Sequence, residues 1–201
     1  MTNLDKLRLT AFAVVVATWI AFGFFFYFGR RKQKAAPEHE AKRDPASYWG
    51  IAIQSVAIFA VWVFHRNDLG PFLPIPMPLW AQAAILFAGM LIAVLSLWLS
   101  IAAVRTLGKQ WTYVARVIEG HRLITTGPYR FVRNPIYLSM FGSLIATGLV
   151  FTRWWALAAA IPIFLIGTWI RISREEKLLA STFGPEWQDY KRRAPALFPG
   201  L

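Results

Sequence analysis

The chain has 201 residues, of which 57% are hydrophobic and 16% are charged. Soluble domains contain roughly 45–50% apolar and about 25% charged residues, so this composition excludes an ordinary soluble domain and indicates a membrane protein. Cysteine is absent and only three histidines occur, far apart in the sequence. These counts exclude disulfides and thiolate-ligated metals, and we expect no metal site.

Five apolar runs define the predicted transmembrane helices, since roughly 20 helical residues cross a bilayer core. The runs are residues 9–28, 48–64, 79–104, 135–152 and 154–170. The first run is too long for the apolar core of a signal peptide, so we expect it to be retained. A single residue, Arg153, separates the last two runs, which predicts a tight helical hairpin.

Basic residues predict the topology of these helices, because lysine and arginine accumulate on the cytoplasmic side. Segments 29–46, 105–134 and 171–201 hold six each, hence 18 of the 22 in the chain. Five spans with the N-terminus outside and the C-terminus in the cytoplasm satisfy this distribution. The net charge of +12 is thereby explained by topology, and we expect no nucleic-acid partner.

The connections between the runs differ in character. Residues 29–46 are charged and poor in apolar side chains, which predicts a solvated linker. Residues 105–134 contain a Gly-Pro turn at 127–128 and two short pieces that favour extended structure, 117–118 and 123–125. Backbone amides around such turns can bind a small ligand, but a plain connector explains the segment equally well.

The last segment predicts that the fifth helix continues past the membrane surface and that a second helix follows. Gly184 is a typical helix end and Pro185 a typical first helical residue. Arg171 and Glu175 are four residues apart, so a surface ion pair worth about 0.3–0.5 kcal/mol accounts for them. Glu176 has no basic residue four positions further on, which favours use of its carboxylate for a cationic ligand.

Two long motifs carry a family resemblance: EGHRLITTGPYRFVRNPIY and, after the hairpin, RISREEKLLASTFGPEWQDYKRRAPALFP. In this order they resemble the isoprenylcysteine carboxyl methyltransferases, integral membrane enzymes that use S-adenosylmethionine, and the similar phosphatidylethanolamine N-methyltransferases. The matching positions are Gly127, Tyr129, Arg133, Pro135, Tyr137, Arg171, Glu175, Glu176, Leu179, Phe183, Gly184, Trp187 and Tyr190. The family's histidine before Pro135 is Asn134 here, and asparagine cannot ionise.

The resemblance implies which residues form the site. The implied cofactor residues are His121, Leu123, Gly127, Tyr129, Arg133, Asn134, Tyr137, Glu175 and Glu176, and the implied catalytic residues are Arg171 and Glu176. Tyr129 and Tyr137 would pack on the adenine or the sulfonium of S-adenosylmethionine, and Arg133 would neutralise its carboxylate. Glu176 would hold the α-amino group or face the reacting centre together with Arg171.

The resemblance also implies a lipophilic acceptor, either a small molecule or a lipid-modified one, with membrane lipids as further partners. A carboxylate acceptor needs only an arginine such as Arg171 to orient it, whereas an amine needs a base such as Glu176. Carboxylate O-methylation is favoured. Three small residues of the hairpin (Gly142, Gly148 and Gly167) and a helix kink at Pro162 predict an apolar gap between the hairpin and the third helix, through which an acceptor with a lipid tail would enter.

The expected fold is an all-α integral membrane protein of five transmembrane helices, with a C-terminal helical hairpin and cytoplasmic C-terminal helices. Residues 1–104 would contain three transmembrane helices and the basic linker. Residues 105–201 would form the catalytic region, with a cofactor loop (105–134), the hairpin (135–170) and a cytoplasmic tail (171–201). Two alternatives remain: a membrane reductase of the sterol-reductase type using NADPH, and a non-catalytic membrane scaffold.

Overall fold

A computed structural model describes residues 2–33, 40–43, 47–66, 70–108, 116–118 and 122–198 of the chain. Within these ranges the helices are α1 (Asn3–Gln33), α2 (Ser47–Val63), α3 (Leu79–Leu107), α4 (Pro135–Phe151), α5 (Trp154–Phe183) and α6 (Pro185–Arg193). The same ranges contain two short strands, β1 (Glu40–Arg43) and β2 (Arg116–Ile118), and a 3-10 helix, Gly127–Arg130. The helices of the expected all-α fold are confirmed, and the two short strands are a departure from it.

Apolar helices give the chain its membrane character. Among the described residues, three helical segments are long and apolar enough to cross a bilayer: Asn3–Tyr27, α3 and α5. Helices α2 and α4 are also apolar but have 17 residues each, close to the lower limit of about 17 for a span. The chain is therefore a membrane protein by helix length and composition, while the number of five spans stays a prediction.

The boundary between α5 and α6 lies where the sequence predicts it. Gly184 has a φ of 50°, a left-handed conformation that costs glycine nothing and other residues roughly 1–2 kcal/mol. Pro185 then begins α6, since its missing N–H is not needed in the first helical turn. The chain thus turns sharply here and brings α6 back towards the start of α4.

The basic linker contains a strand that the sequence analysis did not predict. Strand β1 pairs antiparallel with β2, with Arg43 opposite Arg116. The extended piece expected at 117–118 is confirmed, whereas 123–125 has no regular structure. A strand of three or four residues depends on a distant partner for its stability, so local composition could not reveal it. The expectation that 29–46 is only a solvated connection is corrected accordingly.

Each half of the predicted hairpin packs mainly against another helix. Helix α4 lies chiefly on α3, and α5 lies chiefly on α2. A Cβ atom at Gly89 of α3 would lie 2.5 Å from Val150 Cγ2 of α4. A Cβ atom at Gly167 of α5 would lie 2.8 Å from the carbonyl oxygen of Gly50 in α2. Glycine therefore allows both helix pairs to approach closely.

The gap expected beside Gly142 is closed. Gly142 faces Ser96 of α3, and a Cβ atom added at Gly142 would overlap the Ser96 hydroxyl oxygen. A glycine in an apolar helix allows close backbone contact as well as open space, and only the position of the neighbouring helix decides between them. The prediction of an acceptor entrance between the hairpin and the third helix is therefore wrong at this position.

Helix α4 is covered on opposite faces by the other helices. One buried apolar cluster joins it to α1 and α3, and its members are Ala11, Val15, Leu86, Ala93, Ala146 and Val150. A second cluster joins it to α2 and α5, and its members are Ala57, Val61, Leu144, Leu157, Ala160 and Phe164. Burial on both sides fixes α4 in the bundle and with it the residues at its start.

Polar contacts fix the other end of α4. Arg66, which follows α2, is buried, and its Nη2 donates to the carbonyl oxygens of Leu149 and Val150 at 3.1 and 2.5 Å. The Thr152 hydroxyl donates to the Val61 carbonyl oxygen at 2.6 Å. A cation beside the last carbonyls of a helix is favourable because these oxygens carry partial negative charge. Arg66 and Thr152 thus tie α4 to α2.

Candidate functional site

An ion pair between Arg133 and Glu176 forms the outer part of the site. Arg133, just before α4, donates from Nε and Nη2 to Glu176 Oε1 at 3.0 and 2.7 Å. Lys191 Nζ of α6 lies 3.1 Å from the other oxygen of Glu176, Oε2. The Arg133 and Glu176 side chains are 7% and 14% exposed, so solvent screens the pair weakly. Both carboxylate oxygens of Glu176 therefore contact cations.

Arg133 also binds the C-terminal strap, which we define as residues 194–198. Its Nη1 donates to the carbonyl oxygen of Lys191 at 3.1 Å and to that of Ala194. Its backbone N–H donates to the Pro195 carbonyl oxygen at 2.8 Å. The Arg133 guanidinium thus bonds both Glu176 of α5 and the end of the chain. Lysine has a single side-chain nitrogen and lacks this planar fork of donors.

Asn134, which stands where the pattern of the resembled family has histidine, contacts the same strap. Its Nδ2 donates to the Ala196 carbonyl oxygen at 2.8 Å. Further along the strap, the Phe198 ring packs edge-on against Phe141 of α4, with the ring centres 5.8 Å apart. In this chain the asparagine therefore helps to fix the strap along the first turns of α4.

Helix α6 places an apolar cluster beside the ion pair. Its buried members are Trp187, Tyr190 and Ala194, and the partly buried residues packed against them are Leu123, Leu179, Ala180 and Phe183. Leu123, predicted to contribute to the cofactor pocket, is thus placed against α6. The guanidinium carbon of Arg133 lies 5.9 Å from the Trp187 ring centre, so the cluster also covers the ion pair.

Tyr129 and Tyr190 connect the 3-10 helix to α6. The Tyr190 hydroxyl donates to the Tyr129 carbonyl oxygen at 2.7 Å. Burial raises the pKa of Tyr190 to about 12, with Arg133 opposing the rise and Glu176 adding to it. Burial also raises the pKa of Tyr129 well above its ordinary value, with a smaller contribution from the Glu175 charge. Both hydroxyls are therefore neutral at physiological pH.

Gly127 fixes the start of the 3-10 helix that carries Tyr129. Its φ is 58°, and a Cβ atom there would lie 2.8 Å from the Thr106 hydroxyl oxygen near the end of α3. Both the conformation and the lack of space require glycine. The predicted turn is thus confirmed, and the backbone of this segment lies against α3.

The inner part of the site lies between α4 and α5. The Tyr137 hydroxyl of α4 donates to Glu175 Oε1 of α5. The guanidinium carbon of Arg171 lies 4.6 Å from the centre of the Tyr137 ring. Arg171 is 7% exposed and Tyr137 5% exposed, so both belong to the interior of the bundle. An arginine over an aromatic ring gains about 2 kcal/mol when desolvated.

Gln54 of α2 belongs to the same inner group, although the sequence analysis did not select it. Arg171 Nη1 donates to Gln54 Oε1 at 3.0 Å, and Gln54 Nε2 donates to the Thr168 hydroxyl oxygen at 2.7 Å. Both partners of this second bond are 1% exposed. The sequence did contain a signal for Gln54, because it is an amide side chain inside the apolar run 48–64. An unbonded polar group in such surroundings is costly, so a bonding partner is expected.

The structure brings most of the predicted site residues together at the start of α4. The outer part unites Arg133, Asn134 and Glu176, and the inner part unites Tyr137, Arg171 and Glu175. Tyr129 is bonded through its carbonyl oxygen to Tyr190 of α6, and the Glu175 charge contributes to the raised pKa of Tyr129. His121 lies outside the described residues. Among those described, no three histidine, aspartate or glutamate side chains are grouped as metal ligands.

Comparison with known proteins gives a family match over the region that contains both parts. The family model for phospholipid methyltransferase matches residues 84–186. The chain is 34% identical over 125 residues to the nickel-cobalt-cadmium resistance protein NccN of Alcaligenes xylosoxydans xylosoxydans, covering 61% of this chain and 53% of that protein. The family match therefore includes α4, α5 and the start of α6, but not α2.

Several relatives bear methyltransferase names, and two of them are described here. The chain is 26% identical over 201 residues to the protein-S-isoprenylcysteine O-methyltransferase of Saccharomyces cerevisiae, with 96% of this chain and 82% of that protein covered. It is 31% identical over 139 residues to methanethiol S-methyltransferase 2 of Bradyrhizobium diazoefficiens, with 64% and 52% covered. The chain thus spans about half the length of NccN and of the methanethiol enzyme.

Proposed function

The chain belongs to the phospholipid methyltransferase family, whose model matches half of its residues, and from this premise we propose that it is a membrane-embedded methyltransferase dependent on S-adenosylmethionine. The observation that carries the proposal is the contact of Arg171 and Glu175 with Tyr137 inside an apolar bundle. Ionisable side chains at such positions are costly and mark functional sites. The names of the yeast and Bradyrhizobium relatives support the same reaction class.

The outer part of the site fits the amino-acid end of S-adenosylmethionine, which carries one carboxylate and one ammonium group. Arg133 offers a cation and Glu176 an anion, and the two are in contact. On cofactor binding, the cofactor carboxylate would replace Glu176 as the partner of Arg133, and the cofactor ammonium would replace Arg133 as the partner of Glu176. No isolated ion would then be buried. The other residues proposed for the pocket are His121, Leu123, Gly127, Tyr129, Asn134, Tyr137 and Glu175.

The inner part of the site is proposed to bind the acceptor. When bound, S-adenosylmethionine supplies an electrophilic methyl group. Arg171 would hold an acceptor carboxylate by charge-assisted hydrogen bonds, which are strong where water is scarce. An ionised oxygen needs only orientation, and positioning supplies most of the acceleration in such a transfer. Tyr137 covers one side of the Arg171 guanidinium and would exclude water there.

Carboxylate O-methylation is favoured over N-methylation by the contacts of Glu176. An amine acceptor must lose a proton to a base. Glu176 accepts two hydrogen bonds from Arg133 and contacts Lys191, so both of its oxygens are engaged. A carboxylate held by Arg171 requires no base. We therefore propose a lipophilic acceptor with a carboxylate, either a small molecule or a lipid-modified one.

The proposed topology has five membrane spans, with the N-terminus outside and the C-terminus and the site on the cytoplasmic side. The three segments rich in lysine and arginine, 29–46, 105–134 and 171–201, then share the side where such residues accumulate. A water-soluble cofactor would reach the outer part of the site from the cytoplasm. A lipophilic acceptor would reach the inner part from the bilayer.

The two alternatives receive less support. A reductase using NADPH is not favoured, because the three relatives described above have methyltransferase or metal-resistance names. A non-catalytic scaffold does not account for the cost of burying Arg171 and of placing Glu175, which is half-buried, beside it among apolar helices. Both alternatives remain useful as outcomes of a binding experiment, since they differ from the proposal in the ligand that the purified protein should bind.

Isothermal titration of the detergent-purified protein with S-adenosylhomocysteine and, separately, with NADPH tests the proposal. We expect S-adenosylhomocysteine to bind and NADPH not to bind. Binding of NADPH alone would favour the reductase, and binding of neither ligand would favour the scaffold. Transfer of a labelled methyl group to N-acetyl-S-farnesylcysteine, compared with phosphatidylethanolamine vesicles, then distinguishes a carboxylate acceptor from an amine acceptor.

A further inference from the structure

We propose that Gln54 of α2 is a positioning residue for Arg171, so that a helix outside the family match completes the acceptor side of the site. The inference rests on the proposed function and adds to it a residue from the N-terminal half of the chain. The family match begins at residue 84, whereas α2 spans Ser47–Val63. The C-terminal region would therefore lack part of its active site without this helix.

The orientation of the Gln54 amide follows from its two partners. A guanidinium group only donates hydrogen bonds, so the oxygen of the amide must face Arg171 and the nitrogen must face away. The nitrogen meets the Thr168 hydroxyl oxygen, which can accept, at 2.7 Å. The contact between Gln54 and Arg171, at 3.0 Å, thus has a single direction, because a turned amide would place its NH2 group against the guanidinium donors.

Two glycines make room for this arrangement at the crossing of α2 and α5. A Cβ atom at Gly50 would overlap Cγ of Arg171, so the stem of the arginine crosses α2 directly over this glycine. A Cβ atom at Gly167 would lie 2.9 Å from Cγ and from the backbone nitrogen of Gln54. The packing of α2 on α5 is therefore built around the side chains of Arg171 and Gln54.

Arg171 is consequently held from two sides. It is carried by α5, bonded to Gln54 of α2 and placed over the Tyr137 ring of α4. Tyr137 restrains the plane of the guanidinium, and Gln54 restrains its rotation within that plane. A glutamine is costly in an apolar helix and offers α2 no packing that methionine would not offer. The direction it gives to Arg171 explains its presence.

Turnover of N-acetyl-S-farnesylcysteine is the first test. Gln54→Met keeps the side-chain volume but loses both hydrogen bonds, and we expect kcat to fall at least tenfold while affinity for S-adenosylhomocysteine changes less than twofold. Gln54→Glu again presents an oxygen to Arg171 but adds a negative charge that competes with the acceptor carboxylate for the guanidinium, so it should restore the orientation of Arg171 without restoring the full kcat. Ser55→Ala, which removes an exposed hydroxyl bonded within α2, is the matched control and should leave kcat unchanged.

An NMR experiment tests the role of Gln54 independently of enzymatic turnover. In protein labelled with 15N-arginine, the signals of the Arg171 guanidinium are assigned by their loss in Arg171→Lys. We expect separate Nη–H signals, a sign of hindered rotation, in the wild type, and averaged signals in Gln54→Met. Unchanged Arg171 signals in Gln54→Met, or averaged signals in Gln54→Glu, would overturn the role of Gln54. No turnover and no S-adenosylhomocysteine binding in the wild type would instead overturn the proposed function.

Discussion

The guanidinium of Arg133 and the carboxylate of Glu176 form a shielded ion pair in which Nη2 lies 2.7 Å from Oε1. The pair joins Arg133, two residues before α4, to α5, and Arg133 also donates to the carbonyl oxygens of Lys191 in α6 and of Ala194 in the C-terminal strap. The same two residues are the ones we propose for the amino-acid end of the cofactor. Cofactor binding and strap position should therefore be coupled.

Glu176→Gln should weaken binding of S-adenosylhomocysteine by about 10- to 150-fold in isothermal titration. The physical reason is the loss of a charge-assisted hydrogen bond, worth about 1.5–3 kcal/mol. Arg192→Gln is the control, because Arg192 is an exposed residue paired only with Asp189 of the same helix in the described contacts. Affinity that stays unchanged in Glu176→Gln would assign the carboxylate to structure alone.

Asn134→Ala should loosen the strap, because its amide donates to the Ala196 carbonyl oxygen. The expected cost is about 0.5–1.5 kcal/mol, measured as faster release of C-terminal residues by a carboxypeptidase. Asn134→His, which installs the residue found in the family, retains an N–H donor and should release the strap more slowly than Asn134→Ala. Equal rates in both variants would show that this hydrogen bond does not hold the strap.

Gly89→Ala should destabilise the bundle by about 1–3 kcal/mol through overpacking. The new methyl group would meet Val150 Cγ2, and valine in a helix has essentially one rotamer, so it cannot turn away. Adding Val150→Ala should recover part of the loss in thermal unfolding in detergent. Gly23→Ala is the matched control, since nothing lies within 4 Å of a Cβ atom at Gly23. A loss of equal size at Gly23 would rule out helix contact as the cause.

The docking of α6 should depend on pH only in strongly alkaline solution. The pKa of Tyr190 is raised to about 12 by burial, compared with about 10 for an unfolded tyrosine. Because the folded pKa is the higher one, the contribution of the neutral hydroxyl is fully present below about pH 10 and is lost as the pH rises towards 12.

Tyr190→Phe provides the comparison for this pH dependence. The variant keeps the ring but loses the bond to the Tyr129 carbonyl oxygen, so at pH 8 it should be less stable by about 1 kcal/mol. Between pH 10 and 12 the difference from the wild type should shrink, because the wild type loses the same contribution there. Thermal unfolding at several pH values measures both, and a constant difference would contradict the assignment.

A reporter fused after Leu201 should be cytoplasmic and one fused before Met1 should be external, if all five apolar helices span the membrane. The expectation follows from the 18 basic residues in three segments that share one side. Helices α2 and α4, at 17 residues each, are the shortest of the five and the ones this experiment tests. If both reporters were found on the same side of the membrane, the number of spans would be even and the prediction of five would be wrong.

The sequence by itself determined the features that depend on local chemistry. Runs of apolar residues predicted the positions of all five long helices, and Gly184 and Pro185 predicted the boundary between α5 and α6. The resemblance of two motifs to a known family selected Tyr137, Arg171 and Glu175, which the fold then places in contact. The helix signals are local because helix formation and helix ends depend on neighbouring residues.

Only the tertiary structure decided how the helices pair. A glycine such as Gly142 allows close packing or open space, and its contact with Ser96 depends on the position of α3. Strand β1 exists through a partner more than seventy residues away. Gln54 acquires its role only because α2 crosses α5 beside Arg171. Pairing between distant segments depends on how side chains fit in three dimensions, and no local pattern in one sequence records that fit.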